Sequence, residues 1–228
     1  NDGNGKFIDV TARYAPELAS VGYVRSARLA DMNKDGRSDI VLALEWDGIC
    51  VFERNGNAFQ KKMLTSRKGW WNFAMPFDFD GDGDLDILAG NLGLNSRLKA
   101  SEKEPVKMYI NDFDGNGRKD PILTSYLNGR EALFPTKLEM EKQMPVIRKK
   151  YIYAAEFAKA SLADLVGAEK LEKSEILTAD YFQNAILVND GKGNFTVQAL
   201  PGRAQWAPFY DAQIIDANGD SLPDVLLM

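Results

Sequence analysis

Asp78-Phe79-Asp80-Gly81-Asp82-Gly83-Asp84-Leu85-Asp86 sets five carboxylates into nine residues. Crowded without a counter-charge, such acids repel one another and raise each other's affinity for protons. The spacing supplies the remedy. Oxygen-bearing side chains at positions 1, 3 and 5 curl around one centre, and the acid at position 9 closes the ring. Gly83, at position 6, permits the sharp turn that aims the carbonyl of position 7 inward. Hard Ca2+, which takes six to eight oxygens at about 2.3–2.6 Å, is the cation this donor set suits.

The same register recurs three times. Asp31-Met32-Asn33-Lys34-Asp35-Gly36-Arg37-Ser38-Asp39 precedes it. Asp112-Phe113-Asp114-Gly115-Asn116-Gly117-Arg118-Lys119-Asp120 and Asp216-Ala217-Asn218-Gly219-Asp220-Ser221-Leu222-Pro223-Asp224 follow. Fourteen of the 33 acidic residues fall in these four segments, so the acid is concentrated and not a general surface charge. An EF-hand would need a bidentate Glu at position 12. Leu42, Ala89, Leu123 and Leu227 stand there instead, which excludes EF-hand and dockerin-type loops. Thrombospondin-type calcium repeats need regular cysteines, and the chain has one. The fourth loop has Ser221 where the others have glycine. Serine tolerates positive φ poorly, so that site is expected to be strained or weaker.

Each loop is followed by a short apolar run, such as Ile40-Val41-Leu42-Ala43-Leu44, and preceded by strand-like residues, such as Val106-Lys107-Met108-Tyr109-Ile110. Runs this short between Gly/Asn/Asp clusters read as strands. The first unit reads as four antiparallel strands, at 26–30, 39–44, 49–53 and 59–64. A weaker turn pattern occurs at Asn1-Asp2-Gly3-Asn4-Gly5-Lys6-Phe7, at Asn189-Asp190-Gly191-Lys192-Gly193-Asn194-Phe195, and in reduced form at Asn55-Gly56-Asn57-Ala58-Phe59. Its Gly and Asn supply the backbone angles of tight hairpins. Residues 135–174 are rich in helix formers instead. Thr136-Lys137-Leu138-Glu139 and Ser161-Leu162-Ala163-Asp164 are capping sequences, with Pro145 and Gly167 as the stops. This stretch reads as a helical insertion replacing one metal loop.

The chain of 228 residues is 45% hydrophobic and 27% charged, enough to bury a core. Its net charge of −5 argues against nucleic acid as a partner, since phosphates are met by a basic face. No apolar run reaches the roughly 18 residues of a membrane span, so no membrane insertion is expected. Without histidine, Ser-His-Asp and Cys-His nucleophiles and His-ligated zinc are excluded. Cys50, between Ile49 and Val51, is expected to be a buried, inert thiol.

The pattern Asp-x-Asp/Asn-x-Asp/Asn-Gly-x-x-Asp between strands resembles the FG-GAP/VCBS repeat family, known best from integrin α-subunit propellers. With Gly90-Asn91-Leu92-Gly93-Leu94-Asn95-Ser96 and the helical stretch, it is also similar to large secreted bacterial VCBS proteins, some with an ASPIC/UnbV segment. The resemblance implies an all-β fold, an integrin-α-like β-propeller of four-stranded antiparallel blades, with residues 1–228 as one region of about five blade equivalents. It implies up to four structural Ca2+ ions. The side-chain ligands would be Asp31, Asn33, Asp35 and Asp39; Asp78, Asp80, Asp82 and Asp86; Asp112, Asp114, Asn116 and Asp120; and Asp216, Asn218, Asp220 and Asp224. The carbonyls of Arg37, Asp84, Arg118 and Leu222 would complete the shells.

The expected function is an extracellular, cell-surface or periplasmic calcium-binding module for adhesion to a protein or glycan, with no catalytic residues. Weak extracellular-type calcium sites would stay empty in the cytosol. Trp46, Trp70, Trp71 and Trp206 are the candidate contact residues, with blade packing as the plainer role for each. One alternative is a polysaccharide lyase or part of one, using Arg97, Lys99 or Lys103. Another is a scaffold module of a larger envelope protein. Arg148-Lys149-Lys150 beside Tyr151 and Tyr153 reads as a solvated face. The opening residues read as the middle of a hairpin with an outer strand at 7–10. The last eighteen read as a strand, a calcium loop and a strand. Both predict interrupted blades with neighbouring domains beyond them.

Overall fold

The computed structural model describes residues 3–228, so Asn1 and Asp2 of the first turn pattern lie outside the described residues. Its contacts divide the chain into two units, one formed by residues up to Ser96 together with Phe182–Met228, the other by Arg97–Tyr181. The first unit opens with a one-turn helix α1 (Thr11–Tyr14) and a 3-10 turn, then strands β1 (Tyr23–Ala30), β2 (Asp39–Asn55), β3 (Ala58–Trp70), β4 (Phe73–Phe77) and β5 (Asp86–Gly90). The second carries β6 (Val106–Asn111), β7 (Asp120–Leu127) and β8 (Arg130–Leu133). Five short helices follow, α2 (Lys137–Gln143), α3 (Val146–Lys150), α4 (Ala154–Lys159), α5 (Leu162–Val166) and α6 (Ala168–Glu172), and then β9 (Glu175–Ala179). The chain returns to the first unit as β10 (Ala185–Asn189), β11 (Phe195–Ala199), β12 (Ala212–Ile215) and β13 (Asp224–Leu227). The sheets are antiparallel, in the orders β1-β2-β3, β11-β10-β5-β4, β8-β7-β6-β9 and β12-β13. The fold is therefore β-rich, with few and short helices.

The strands expected at 39–44 and 49–53 both lie within β2, which runs unbroken from Asp39 to Asn55. It is not straight, however. The Arg54 N–H donates to Asp39 Oδ1 at 2.7 Å, whereas fifteen residues fully extended would span about 50 Å. β2 therefore doubles back on itself. The bend lies at Trp46, whose φ is +68°, and Gly48, where a Cβ would meet the Thr65 carbonyl oxygen at 2.0 Å. The register with β3 slips at the same place. The doubling brings Leu42 and Leu44 into one core with Val21, Cys50 and Phe52.

The second four-stranded sheet joins parts of the chain far apart in sequence. β5 pairs with β10, and Leu88 faces Ile186, across the 97–181 stretch. All five residues of β5 are buried, as befits a strand central to its sheet. Where the chain leaves this sheet and where it returns, buried side chains hold the two ends. The Asn91 N–H donates to Asn184 Oδ1 at 2.6 Å, and Gln205 bonds to the Asn184 N–H and carbonyl. Gly90 and Gly93 leave no space for a side chain. A Cβ at Gly90 would strike the Phe73 ring and the Phe209 carbonyl, and one at Gly93 the Ala207 carbonyl.

In the other unit, β6 and β7 flank the third acidic loop, and the helices join the edge strands β8 and β9. The capping residues act as read from sequence. Thr136 and Ser161 each make a capping box, with Glu139 and Asp164, and Gly167 takes φ +88° at the end of α5. Met140, Met144, Ile147, Phe157, Leu165 and Val166 from the helices pack on Tyr109, Phe113 and Ile122. The expected strand at 7–10 does not form. The Asp9 carboxylate takes the Thr11 N–H and the Val10 carbonyl accepts from Arg13 and Tyr14, so local bonds start α1 where no partner strand competes.

Candidate metal sites

Four loops connect strand ends, between β1 and β2, β4 and β5, β6 and β7, and β12 and β13. Their backbones close on their own side chains in one shared pattern. The position-1 carboxylate sits in a nest of N–H groups. Asp31 accepts from Asp35 and Gly36, Asp78 from Gly81 and Gly83, Asp112 from Gly115, Asn116 and Gly117, and Asp216 from Gly219, Asp220 and Ser221. The position-3 oxygens of Asn33, Asp80, Asp114 and Asn218 accept from the position-5 N–H. The position-5 oxygens of Asp35, Asp82, Asn116 and Asp220 accept from the N–H of Arg37, Asp84, Arg118 and Leu222.

Position 9 has a second task. Asp39, Asp86 and Asp120 are buried, and one oxygen of each takes the position-2 N–H, from Met32, Phe79 and Phe113. Asp224 does the same to Ala217. The other oxygen of Asp86 takes the Asn189 N–H at 2.8 Å, the counterpart of the Asp39–Arg54 bond. Each of these two carboxylates thus ties its loop to the next strand of the sheet. The motif marks position 9 for a ligand and gives no sign of this structural bond.

Asp78, Asp80 and Asp86 bring three carboxylate oxygens within 4.8 Å of one another, and Asp112, Asp114 and Asp120 do the same. Oxygens sharing one Ca2+ at about 2.3–2.6 Å can stand no more than roughly 5 Å apart, so both groups fit that ion as they stand. Position 3 is Asn33 and Asn218 in the first and fourth loops, where an amide oxygen replaces the third carboxylate. The side chains of Asp82 and Asp84 stand outside their loop's trio. The electrostatics reflect the crowding of acids and their N–H partners. The Asp82 N–H pulls the Asp80 carboxyl down, but desolvation and the carboxylates of Asp82, Asp86 and Asp78 outweigh it, and the group lies above its ordinary value. Desolvation also raises Asp120, assisted by Asp114 and Asp112 against the Phe113 N–H. Asp112 lies below its ordinary value, held there first by the Gly117 N–H.

Ser221 takes φ +65° where Gly36, Gly83 and Gly117 take 81–90°, so the strain read from sequence is present. Cys50 is wholly buried, and burial pushes its thiol up to about 11. Of the four tryptophans, Trp71 is fully buried and its Nε1–H donates to the Arg67 carbonyl. Trp46 is also buried and packs edge-on against Trp70 at 5.1 Å. Trp206 is exposed. Arg97 stacks over the Phe134 ring at 5.0 Å.

Fold and loops together define a class, an antiparallel β protein whose strands are joined by acidic loops shaped for a hard cation. Residues 31–89, with the first two loops, match the model of the FG-GAP-like repeat. It is also similar to cartilage acidic protein 1 of Xenopus tropicalis, 24% identical over 54% of this chain and 24% of that protein, so the chain spans about a quarter of that relative's length. Among the described residues no helix is long and apolar enough to cross a membrane.

Proposed function

We propose that this chain is part of an extracellular, integrin-α-like β-propeller in which Ca2+ at the four loops stiffens the sheets and the module binds a protein or glycan partner. The observation that carries the reading is the common closure of the loops. In all four, N–H groups hold one face of the side chains at positions 1, 3 and 5, which orients their remaining lone pairs. In two, three carboxylates already stand at the separation one ion requires. Ca2+ would be held by the side chains at positions 1, 3, 5 and 9 and the carbonyl of position 7, Arg37, Asp84, Arg118 and Leu222.

Three features support the propeller. Two sheets have four antiparallel strands. The doubled β2 gives the first sheet four strand segments. The FG-GAP-like match covers a segment with two loops. Bound at about 100 times Kd, each ion would add about 2.7 kcal/mol to stability. The test is thermal unfolding in EGTA and in millimolar CaCl2. A transition that rises clearly with calcium is expected, and one that does not move contradicts the proposal.

A further inference from the structure

A cavity of about 240 Å3 with a mixed polar and apolar lining opens in the first unit between β1, β2 and the ends of β3 and β5, lined by Arg25, Glu45, Trp70, Asn72, Leu92 and Tyr210 among others. Arg25 and Glu45 lie six residues along β1 and β2 from the first acidic loop, about 20 Å at the rise of a strand. The cavity is therefore separate from the metal-type sites. We infer that it is a binding subsite for one neutral sugar ring. This rests on the reading of the chain as a binding module and names the ligand class.

The chemistry of the lining points that way. Arg25 and Glu45 stand 3.5 Å apart, both partly exposed, so the cavity carries one charge of each sign and no net charge. An acidic ligand would gain from Arg25 and lose to Glu45, whereas hydroxyl groups can accept from one and donate to the other. Asn72 spends its amide hydrogens on the Asn91 and Phe209 carbonyls, which leaves its oxygen as a fixed acceptor. Trp70 contributes part of the aromatic wall. Tyr210 is exposed and offers an aromatic face with a polar tip, the amphipathic shape that meets the apolar face of a pyranose.

The walls are held in place from behind. Trp70 packs against Trp46 and Phe182 at 5.1 and 5.0 Å, and Trp46 keeps φ +68°, a strained backbone for a bulky side chain. The cavity is smaller than the roughly 300–1,000 Å3 of pockets that engulf drug-sized ligands. It suits a single ring, terminal or projecting from a longer chain.

The test uses the calcium-loaded protein and methyl glycosides of glucose, galactose, mannose and N-acetylglucosamine, with methyl glucuronide as the acidic comparison. Binding is read by saturation-transfer NMR and tryptophan fluorescence. At least one neutral glycoside should bind saturably, and Arg25→Ala and Tyr210→Ala, both at exposed positions, should each weaken it about tenfold, the effect of one good contact. Lys159→Ala, at an exposed position on α4 far along the chain from the lining residues, should leave it unchanged. The inference is overturned if no neutral glycoside binds, if the glucuronide binds better, or if the cavity variants bind like the wild type. Melting of the same samples with and without calcium separates the failures, since a calcium-responsive protein that binds no sugar loses only the subsite.

Discussion

The Lys34 ammonium lies on the Asp84 carboxylate, with Nζ 2.5 Å from Oδ1, and so links the first acidic loop to the second. The Asp84 hydrogen bond raises Lys34 above its ordinary 10.5. The same carboxylate presses on the hairpin between β10 and β11, where a Cβ at Gly191 would stand 2.6 Å from Asp84 Oδ2. Lys34 is also out of place in conformation. Position 4 of the loops has positive φ throughout, and Gly81, Gly115 and Gly219 fill it in the others, while Lys34 holds φ +59°. The side chain that links the loops is therefore kept against a backbone preference for glycine.

Separating the two effects takes two variants. Lys34→Ala loses the ion pair and keeps the strained backbone, and Lys34→Gly loses the pair and relieves the strain. The urea midpoint of Lys34→Gly should lie above that of Lys34→Ala. The pair is exposed on the lysine side, so the wild type's advantage over Lys34→Gly should shrink as salt rises.

Ser221→Gly should stabilise the protein by about 1–2 kcal/mol, the cost of a left-handed residue with a Cβ. The sign distinguishes it from an ordinary glycine substitution, which destabilises. Urea unfolding in calcium measures it, and calcium should bind more tightly at the fourth loop.

Asp39→Ala should cost about 2–5 kcal/mol. Asp39 is buried and accepts from two N–H groups, of Met32 and Arg54, each of which would lose its partner at about 1–3 kcal/mol. Because the second bond holds the doubled β2 together, hydrogen exchange should accelerate at Arg54 as well as in the loop. Asp35→Ala, in the exposed part of the same loop, should weaken calcium binding with little effect on the metal-free protein.

Acid should weaken calcium binding. The carboxyls of Asp80 and Asp120 lie above their ordinary 3.8 in the metal-free protein, so they take up protons early as pH falls and the ion must displace them. Affinity should drop as pH falls from neutrality toward the carboxylate range, with protons released on binding. In the metal-free fold these two groups favour acid, because a raised carboxyl binds its proton more tightly folded than unfolded. Asp190 acts oppositely. The Asn194 side chain and the backbone N–H groups of Asn194 and Lys192 hold it at about 2. Its contribution is present above 3.8 and is lost as pH falls toward 2. Calcium titrations at several pH values, with a proton count from buffers of different ionisation heat, check the first claim.

The loops were readable from sequence because a turn that must aim several oxygens at one point leaves little freedom in residue type or spacing. The caps at Thr136 and Ser161 were readable for the same reason, since each bond is made within four residues. What was hidden depends on partners distant in sequence. Nothing in Ile87-Leu88-Ala89 says that its neighbour is Ala185–Asn189, reached only after the 97–181 stretch. The turn back between the strands expected at 39–44 and 49–53 was legible, but not that it would be made at Trp46, a residue that sequence rules do not place at positive φ. Phe7–Val10 has strand-like composition and, among the described residues, no partner strand, and composition cannot show that. The Lys34–Asp84 pair was invisible because position 4 reads as a spacer.

Equilibrium dialysis against 45Ca2+ at neutral pH, on the intact chain, tests the central claim most directly. The account predicts saturable binding approaching four ions per molecule, falling by about one with Asp78→Ala and Asp80→Ala together, which empties the second loop. Fewer than one ion bound at millimolar calcium, or an unchanged count in that double variant, would contradict it.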